Sequence, residues 1–173
     1  MNTRIKISAI VLALSMFMLA NAQVQPKKVY DETLNPLEQL DDALLKAKNE
    51  GKFVMVQLGG NWCPWCLLRA DYVANDSVVN KKMNENYVYI HVNYHPRKSK
   101  IANPELTNSM LKRVGNPVRF GFPVLIVLDE QGAVVHIQDT ALLEEGKGYN
   151  QKKVLDFLNN WTPQAVIKAK KGE

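Results

Sequence analysis

The chain has two cysteines, Cys63 and Cys66, with two residues between them. An apolar run over residues 53–58 precedes them, closes with Gly59-Gly60, and is followed by a glycine-free segment. This pattern predicts a buried strand, a tight turn and a helix that begins at or near Cys63. The unpaired N–H groups and partial positive charge of a helix N-terminus favour a thiolate over a thiol. The first cysteine of such a pair typically has its pKa lowered from about 8.5 to about 3.5–7.5.

Three uses of the cysteine pair are consistent with this spacing. A structural disulfide is one, although so short a loop constrains the unfolded chain little. Half of a zinc site is another, but the chain has no second cysteine pair, and only His91 and His95 have a ligand-like spacing. Thiol–disulfide exchange is the third. The i, i+3 spacing places both sulfurs on one helix face, within reach of each other. Because that chemistry needs the predicted strand, turn and helix, redox exchange is the favoured hypothesis.

The N-terminus has the features of a signal peptide over residues 1–22. Arg4 and Lys6 precede an apolar run over residues 7–19, and Ala20-Asn21-Ala22 forms a cleavage signal. The run is short for a transmembrane span, and an uncleaved anchor is the alternative. We therefore expect export, to a bacterial periplasm or out of the cell. An oxidising compartment keeps such a cysteine pair as a disulfide unless a partner reduces it.

Composition and charge are those of an ordinary globular protein, with 46% hydrophobic and 23% charged residues. The formal charge of +5 includes Arg4 and Lys6, which leaves +3 (20 basic minus 17 acidic residues) after the leader is removed. Basic residues cluster at positions 97–100 and 168–171 without interleaved aromatic side chains. Nucleic acid is therefore not an expected partner.

The chain divides into four predicted parts. A flexible lead-in over residues 23–33 follows the signal peptide, one domain covers residues 34–162, and a basic C-terminal tail covers residues 163–173. A helix opens the domain, and the order β-α-β-α-β-β-α follows, which gives an α/β fold with a central mixed sheet and helices on both faces. The predicted strands cover residues 53–58, 87–93, 123–129 and 133–138.

Two motifs resemble the thioredoxin superfamily. The first is Trp62-Cys63-Pro64-Trp65-Cys66 after a buried strand, and the second is Gly121-Phe122-Pro123-Val124 before another buried strand. The resemblance covers the chain from about Leu34 to Trp161. It implies a thioredoxin-like fold in which a cis-proline at Pro123 faces the cysteines. In that family the loop exposes a backbone edge to the substrate and keeps metal away from the sulfurs.

Each residue of the predicted site has an expected role. Cys63, as a thiolate, attacks a disulfide, and Cys66 resolves the mixed disulfide that results. We expect Cys66, one turn inside the helix, to be the more buried. The predicted substrate-binding residues are Trp62, Pro64, Trp65, Phe122 and Pro123. The two tryptophans form either an apolar platform for a substrate chain or simply half-exposed aromatic side chains.

The sequence departs from the thioredoxin pattern at two places. Thioredoxins usually carry a buried Asp six residues before the first cysteine, thought to move the proton of the second cysteine. Here that position is Gln57, which cannot take a proton, so resolution by Cys66 needs water or another group. The connection over residues 94–120 is longer than usual, and either selects a partner or is neutral. Pro64-Trp65 is closer to the Pro-aromatic pairs of glutaredoxins, but the family's Thr-Val-Pro is replaced at residues 121–123, which argues against glutathione as a cofactor.

The sequence thus predicts a thiol–disulfide oxidoreductase that acts on protein disulfides, with no cofactor beyond its own cysteine pair. The reductase direction is favoured, because the chain resembles exported thioredoxin-like domains that receive electrons from a membrane carrier. Expected partners are protein disulfides and an electron donor or acceptor such as a membrane thiol–disulfide carrier. The competing hypothesis is a non-catalytic module that keeps the fold and uses the groove by Pro123 to bind a partner protein or a metal such as copper.

Overall fold

A computed structural model of the protein describes residues 28–172. The predicted signal peptide and the first residues of the lead-in lie outside the described residues. In the described part, no helix is both long and apolar enough to cross a membrane. The elements follow in the order α1 (Pro36–Glu50), β1 (Phe53–Gly59), α2 (Pro64–Asn75), α3 (Ser77–Asn86), β2 (Tyr87–Asn93), α4 (Pro104–Arg113), β3 (Val124–Leu128), β4 (Val134–Asp139), β5 (Glu144–Glu145), β6 (Gly148–Tyr149), α5 (Gln151–Asn160) and α6 (Pro163–Lys171).

The main sheet has four strands in the order β2-β1-β3-β4. β1 pairs in parallel with β2 and antiparallel with β3, and β3 pairs antiparallel with β4. Parallel pairing of β1 with β2 is possible because α2 and α3 form the crossover between them. The predicted α/β fold with a mixed sheet is therefore confirmed. β5 and β6 form a separate two-stranded ribbon.

The central strand β1 is buried along its whole length and separates two hydrophobic cores. Since successive side chains of a strand point to opposite faces, Val54, Val56 and Leu58 contribute to one core. Phe53 and Met55 contribute to the other core, together with residues of α2, α3, α5 and α6. The continuous apolar pattern of residues 53–58 therefore correctly predicted a strand buried on both faces.

The C-terminal segment differs from the sequence prediction. Residues 163–173 were expected to form a basic tail, whereas Pro163–Lys171 forms the helix α6. The Thr162 hydroxyl caps this helix by accepting a hydrogen bond from the Ala165 N–H, and Pro163 occupies the first turn. The lysines remain exposed, but Val166 is buried in the second core. A single buried apolar side chain therefore attaches a mostly polar helix to the domain.

Replacing Val166 by Ala should lower the free energy of unfolding by about 1–2 kcal/mol, because buried methyl groups are lost. The matched control is Ile167→Ala on the same helix, since Ile167 is 46% exposed. That change should cost under about 0.5 kcal/mol, as is usual for surface positions. Urea unfolding of both variants measures the difference. Equal costs would mean that α6 does not pack on the domain.

Candidate active site

Cys63 and Cys66 form a disulfide at the N-terminus of α2. Cys63 is the N-cap residue, with extended backbone, and Pro64 occupies the first helical turn. The backbone N–H of Cys66 donates a hydrogen bond to the Cys63 Sγ at 3.2 Å. A thiolate at Cys63 would be stabilised by that N–H and by the helix dipole. Cys63 is 4% exposed and Cys66 is fully buried, so Cys66 is the more buried of the two, as the sequence predicted.

Gly59, the last residue of β1, lies directly against the buried sulfur. A Cβ atom at this position would be 2.5 Å from the Cys66 Sγ and 3.0 Å from the hydroxyl oxygen of Tyr30. Both distances are too short for a real side chain, so glycine is needed to let the sulfur and the hydroxyl approach the strand. The tight turn predicted at Gly59-Gly60 therefore also makes room for Cys66.

The loop before β3 faces the disulfide. The Phe122–Pro123 peptide bond is cis. The Phe122 carbonyl oxygen lies 3.7 Å from the Cys63 Sγ, a contact distance, since a disulfide sulfur carries no proton to donate. The Thr140 hydroxyl donates a hydrogen bond of 2.5 Å to the Pro123 carbonyl and holds the loop from the far side. The two sequence motifs, about sixty residues apart, are thus brought together at one place.

Aromatic side chains form a rim around the disulfide. The Trp62 indole N–H donates to the Tyr94 carbonyl at 2.8 Å, and its ring meets Phe122 edge-to-face at 5.5 Å. The Tyr94 ring stacks on Phe122 at 5.3 Å, and Trp65 packs half-buried beside the cysteines. Trp62 is 39% exposed. Trp62, Pro64, Trp65, Phe122 and Pro123 therefore all lie around the sulfurs, and the rim is an apolar surface open to a second chain.

The long connection over residues 94–120 begins inside this rim. Tyr94 anchors it, because its N–H donates to the Gly59 carbonyl at 2.6 Å, and His95 contacts the Trp62 ring at 5.2 Å. Farther along, α4 lies against α1, where Arg113 forms an ion pair with Asp41 at 2.5 Å. Tyr94 and His95, the first two residues of the connection, therefore contact the site directly.

The segment before α1 is not the loose lead-in that its polar sequence predicted. The Asn61 side chain accepts hydrogen bonds from the N–H groups of Val29 and Tyr30 at 3.0 and 3.1 Å, and donates to the Tyr30 carbonyl at 2.7 Å. Tyr30 is consequently 1% exposed and packs against both cysteines. Sequence reasoning missed Tyr30, because a single tyrosine in a polar stretch has no periodic pattern.

Gln57 lies fully buried beneath the disulfide and connects three groups. Its amide NH₂ donates to the Tyr30 hydroxyl oxygen at 2.6 Å and to the Cys66 carbonyl at 2.9 Å. Its amide oxygen accepts a hydrogen bond from the Tyr89 hydroxyl. The amide therefore uses both of its donors and its acceptor, which satisfies a buried polar group that would otherwise be costly.

Arg69 is the largest fully buried side chain of the described residues. None of its guanidinium nitrogens has a hydrogen-bond partner among residues 28–172, and its charge lies over the Tyr149 ring at 5.1 Å. His91 is close by, with its ring 4.6 Å from Tyr89 and 5.4 Å from Tyr30. Burial, and then the positive charge of Arg69, lower the pKa of His91 to about 4.

Metal ligands do not gather in the described part of the chain, where no group of three or more His, Cys, Asp or Glu side chains is placed to hold an ion. His91 and His95, the pair with ligand-like spacing, contact different groups. His91 packs against Tyr30 and Tyr89, and His95 packs against Trp62.

A family model named Thioredox_DsbH, described as a protein of unknown function, DUF255, matches residues 26–170. The chain belongs to this family. The match covers the lead-in beside the cysteines, the whole sheet and most of α6.

Two solved structures are similar to the chain at low sequence identity. A disulphide isomerase from Xylella fastidiosa Temecula1 superposes with a TM-score of 0.63 at 18% identity, over 79% of this chain and 98% of that one. A thioredoxin from Thermus thermophilus has a TM-score of 0.49 at 22% identity, over 77% of this chain and 88% of that one. The superposition on the disulphide isomerase and the family match show that the fold is thioredoxin-like, as the sequence resemblance implied. No curated protein matches the chain significantly.

Replacing Gly59 by Ala should lower the free energy of unfolding of the oxidised protein by about 1–3 kcal/mol, because the added methyl collides with the Cys66 sulfur and the Tyr30 hydroxyl. The matched control is Gly148→Ala, where nothing lies within 4 Å of an added Cβ. Denaturant unfolding measures both variants. A cost for Gly59→Ala no larger than that of the control would contradict the close approach.

Stability should fall as the pH drops from about 6.5 to about 4, because unfolded His91 binds a proton in that range and folded His91 does not. His91→Gln should remove about 1–3 kcal/mol of this loss. Urea unfolding of both proteins at about pH 7 and about pH 4.5 gives the comparison, and the values at the higher pH give the cost of the substitution itself. An unchanged pH dependence in the variant would rule out this role for His91.

Proposed function

We propose that the protein is a thiol–disulfide oxidoreductase that acts on protein disulfides through Cys63 and Cys66, and that it works as a reductase. The observation that carries the proposal is the disulfide at the N-terminus of α2, opposite the Phe122–Pro123 loop. Disulfide chemistry needs a sulfur that is stabilised as a thiolate and reachable by a partner. A backbone N–H points at the Cys63 sulfur, and Cys63 is the more exposed of the two cysteines, at 4% against 0% for Cys66.

The expected reaction has two exchanges. In the reduced protein the Cys63 thiolate attacks one sulfur of a substrate disulfide and forms a mixed disulfide, and the other substrate sulfur leaves as a thiolate. Cys66 then attacks the Cys63 sulfur, the Cys63–Cys66 bond forms, and the second substrate sulfur leaves. The substrate gains two electrons and the cysteine pair loses two.

The rim around the disulfide fits a polypeptide substrate. Trp62 and Phe122 contact each other and offer apolar surface near Cys63, and the backbone of the Phe122–Pro123 loop lies beside them. An extended peptide could pair with that backbone while its cysteine reaches Cys63. The same rim supports the platform interpretation of Trp62 and Trp65. We do not propose glutathione as a cofactor.

We also propose a direction of electron flow, a place of action and a redox partner. The reductase direction and an electron donor such as a membrane thiol–disulfide carrier follow from the sequence resemblance to exported thioredoxin-like domains. Export follows from the signal-peptide features of residues 1–22. The disulphide isomerase that superposes on the chain supports thiol–disulfide chemistry in general.

Cys63→Ser should abolish the reduction of insulin disulfides by the reduced protein, whereas Cys66→Ser should accumulate a mixed disulfide at Cys63, because attack still occurs and resolution does not. Turnover is followed by insulin turbidity, and the adduct by mass spectrometry. The control is the double variant, which should do neither. Sustained turnover by Cys63→Ser would contradict the mechanism.

The metal content of the purified reduced protein tests the competing hypothesis. Stoichiometric metal without insulin turnover would favour a non-catalytic binding module.

Equilibration of the pair against glutathione or dithiothreitol buffers decides the direction. A reduction potential near that of thioredoxin, about −270 mV, agrees with a reductase that receives electrons from a donor. A potential near about −120 mV would contradict the reductase assignment, because such a pair donates its disulfide to folding proteins.

A further inference from the structure

The resolving step requires Cys66 as a thiolate in either direction of electron flow. In reduction Cys66 attacks as a thiolate, and in oxidation it leaves as one, so a group that stabilises its negative charge serves both. Cys66 is fully buried, and burial disfavours an unpaired charge. The position from which a thioredoxin carboxylate would act is Gln57, which has no proton to exchange. Another group must therefore support the thiolate.

The Tyr30 hydroxyl lies at the required place. The position that a Cβ atom of Gly59 would occupy is 3.0 Å from the Tyr30 hydroxyl oxygen and 2.5 Å from the Cys66 sulfur, so both atoms lie on the same side of Gly59 and close to each other. Tyr30, Cys63 and Cys66 form one buried cluster. The Asn61 side-chain amide donates a hydrogen bond to the Tyr30 carbonyl and so fixes the Tyr30 backbone. The Tyr30 ring therefore has little freedom to move away.

The hydrogen bonds around Gln57 direct the Tyr30 proton. The Cys66 carbonyl can only accept, so the Gln57 atom that faces it at 2.9 Å must be the NH₂ group. The same NH₂ donates to the Tyr30 oxygen at 2.6 Å. Tyr89 fixes this orientation by donating to the amide oxygen. Tyr30 therefore accepts from Gln57, and no described residue accepts the Tyr30 proton.

Arg69 adds a positive charge to the same region. It lies three residues after Cys66 in α2, and so on the same helix face. Residues 28–172 provide no hydrogen-bonding partner for its guanidinium, and an uncompensated buried cation favours a nearby anion. The other titratable groups that face this cluster are Tyr30 from the lead-in, Tyr72 from α2, Tyr89 and His91 from β2, and Tyr149 from β6.

These neighbours carry no negative charge near neutral pH. Burial raises the pKa values of Tyr30, Tyr72, Tyr89 and Tyr149, so all four keep their protons. His91 is neutral, because burial and then Arg69 lower its pKa to about 4. The thiolate of Cys66 would be the anion that Arg69 faces. Tyr30 can donate a hydrogen bond to it but cannot act as a base.

We propose that the Tyr30 hydroxyl is the hydrogen-bond donor that stabilises the Cys66 thiolate, that Gln57 and Tyr89 are the positioning residues that direct it, and that Arg69 supplies the balancing charge. The role in resolution rests on the proposed function. In that step the Cys66 thiol releases its proton to water, and its thiolate forms the bond to the Cys63 sulfur. The bond from Cys63 to the substrate sulfur breaks, and that sulfur leaves as a thiolate and takes a proton from water.

Titration of Cys66 in the Cys63→Ser background tests the stabilisation without any turnover. The ultraviolet absorbance of the thiolate gives the Cys66 pKa as the pH is raised. Adding Tyr30→Phe should raise this pKa by about one unit, which is about a tenfold loss of thiolate at a pH below both values. The matched control is Tyr87→Phe, which removes a buried hydroxyl that donates to the Leu158 carbonyl in the second core. It should leave the Cys66 pKa unchanged.

Further variants separate the proposal from a purely structural role. Arg69→Met should raise the Cys66 pKa without lowering stability, because replacing an unpaired buried charge by an apolar side chain is often neutral or stabilising. Tyr89→Phe should raise it less than Tyr30→Phe does, since Tyr89 acts only through Gln57. A Cys66 pKa that stays the same in Tyr30→Phe and in Arg69→Met would overturn the proposal, whatever happens to stability.

The same variants with both cysteines present link the stabilisation to resolution. Tyr30→Phe should lengthen the lifetime of the mixed disulfide by about threefold near neutral pH, because the tenfold loss of thiolate is partly offset by the greater nucleophilicity of the more basic thiolate, while the first attack by Cys63 keeps its rate. If wild-type protein shows no turnover but the pKa shifts appear, the proposed function fails and the stabilisation of Cys66 stands. If turnover is normal and no pKa moves, the stabilisation fails and the proposed function stands.

Discussion

The close packing at Gly59 is the constraint on which the site depends. A strand end without a side chain allows the Cys66 sulfur and the Tyr30 hydroxyl to lie against the same backbone atom. Any side chain there would push the helix α2 away from the sheet and separate the cysteine pair from the groups beneath it. The burial of Cys66 and Tyr30, and the hydrogen bonds from Gln57 to both residues, depend on this close approach to Gly59. The two cysteines differ as a result. Cys63 is held by a helix N–H at the outer edge, and Cys66 lies among buried polar groups.

One face of the sheet is apolar along most of its length and polar at the end nearest α2. Phe53 and Met55 of β1 face an ordinary hydrophobic core, and Gln57 follows them on the same face at the end nearest α2. Because β1 and β2 are parallel and in register, Tyr89 and His91 of β2 lie beside Met55 and Gln57. Alternation along two neighbouring strands therefore gathers the polar groups under the disulfide. The hydrogen bonds among these groups offset the cost of burying them. The positive charge of Arg69 has no hydrogen-bonded partner among residues 28–172 and can stabilise a nearby anion.

The segment before α1 is part of the active site, although nothing in its own sequence requires order. Asn61, in the turn that begins the cysteine motif, supplies three hydrogen bonds to the backbone of Val29 and Tyr30. The turn that positions Cys63 thus also positions Tyr30. The connection after β2 is coupled in a similar way, since the Tyr94 carbonyl and ring hold Trp62 and Phe122. Segments whose sequences resemble linkers therefore line the sides of the site, and the sheet and helices lie beneath it.

The sequence by itself determined the four strands, the start of α2 at Cys63 and the deeper position of Cys66, because hydrophobic periodicity and helix-end residues are local signals. It also identified Gln57 as a departure and placed the motif of Phe122 and Pro123 near the cysteines by resemblance. It did not predict α6, where one buried valine outweighs a lysine-rich surface, and it did not predict the order of residues 28–33. Only the tertiary structure decided that Gln57 joins Tyr30, Tyr89 and Cys66 by hydrogen bonds and that Arg69 is buried without a hydrogen-bonded partner among residues 28–172. Contacts between residues far apart in the chain depend on strand register and packing, which leave no pattern in any one stretch of sequence.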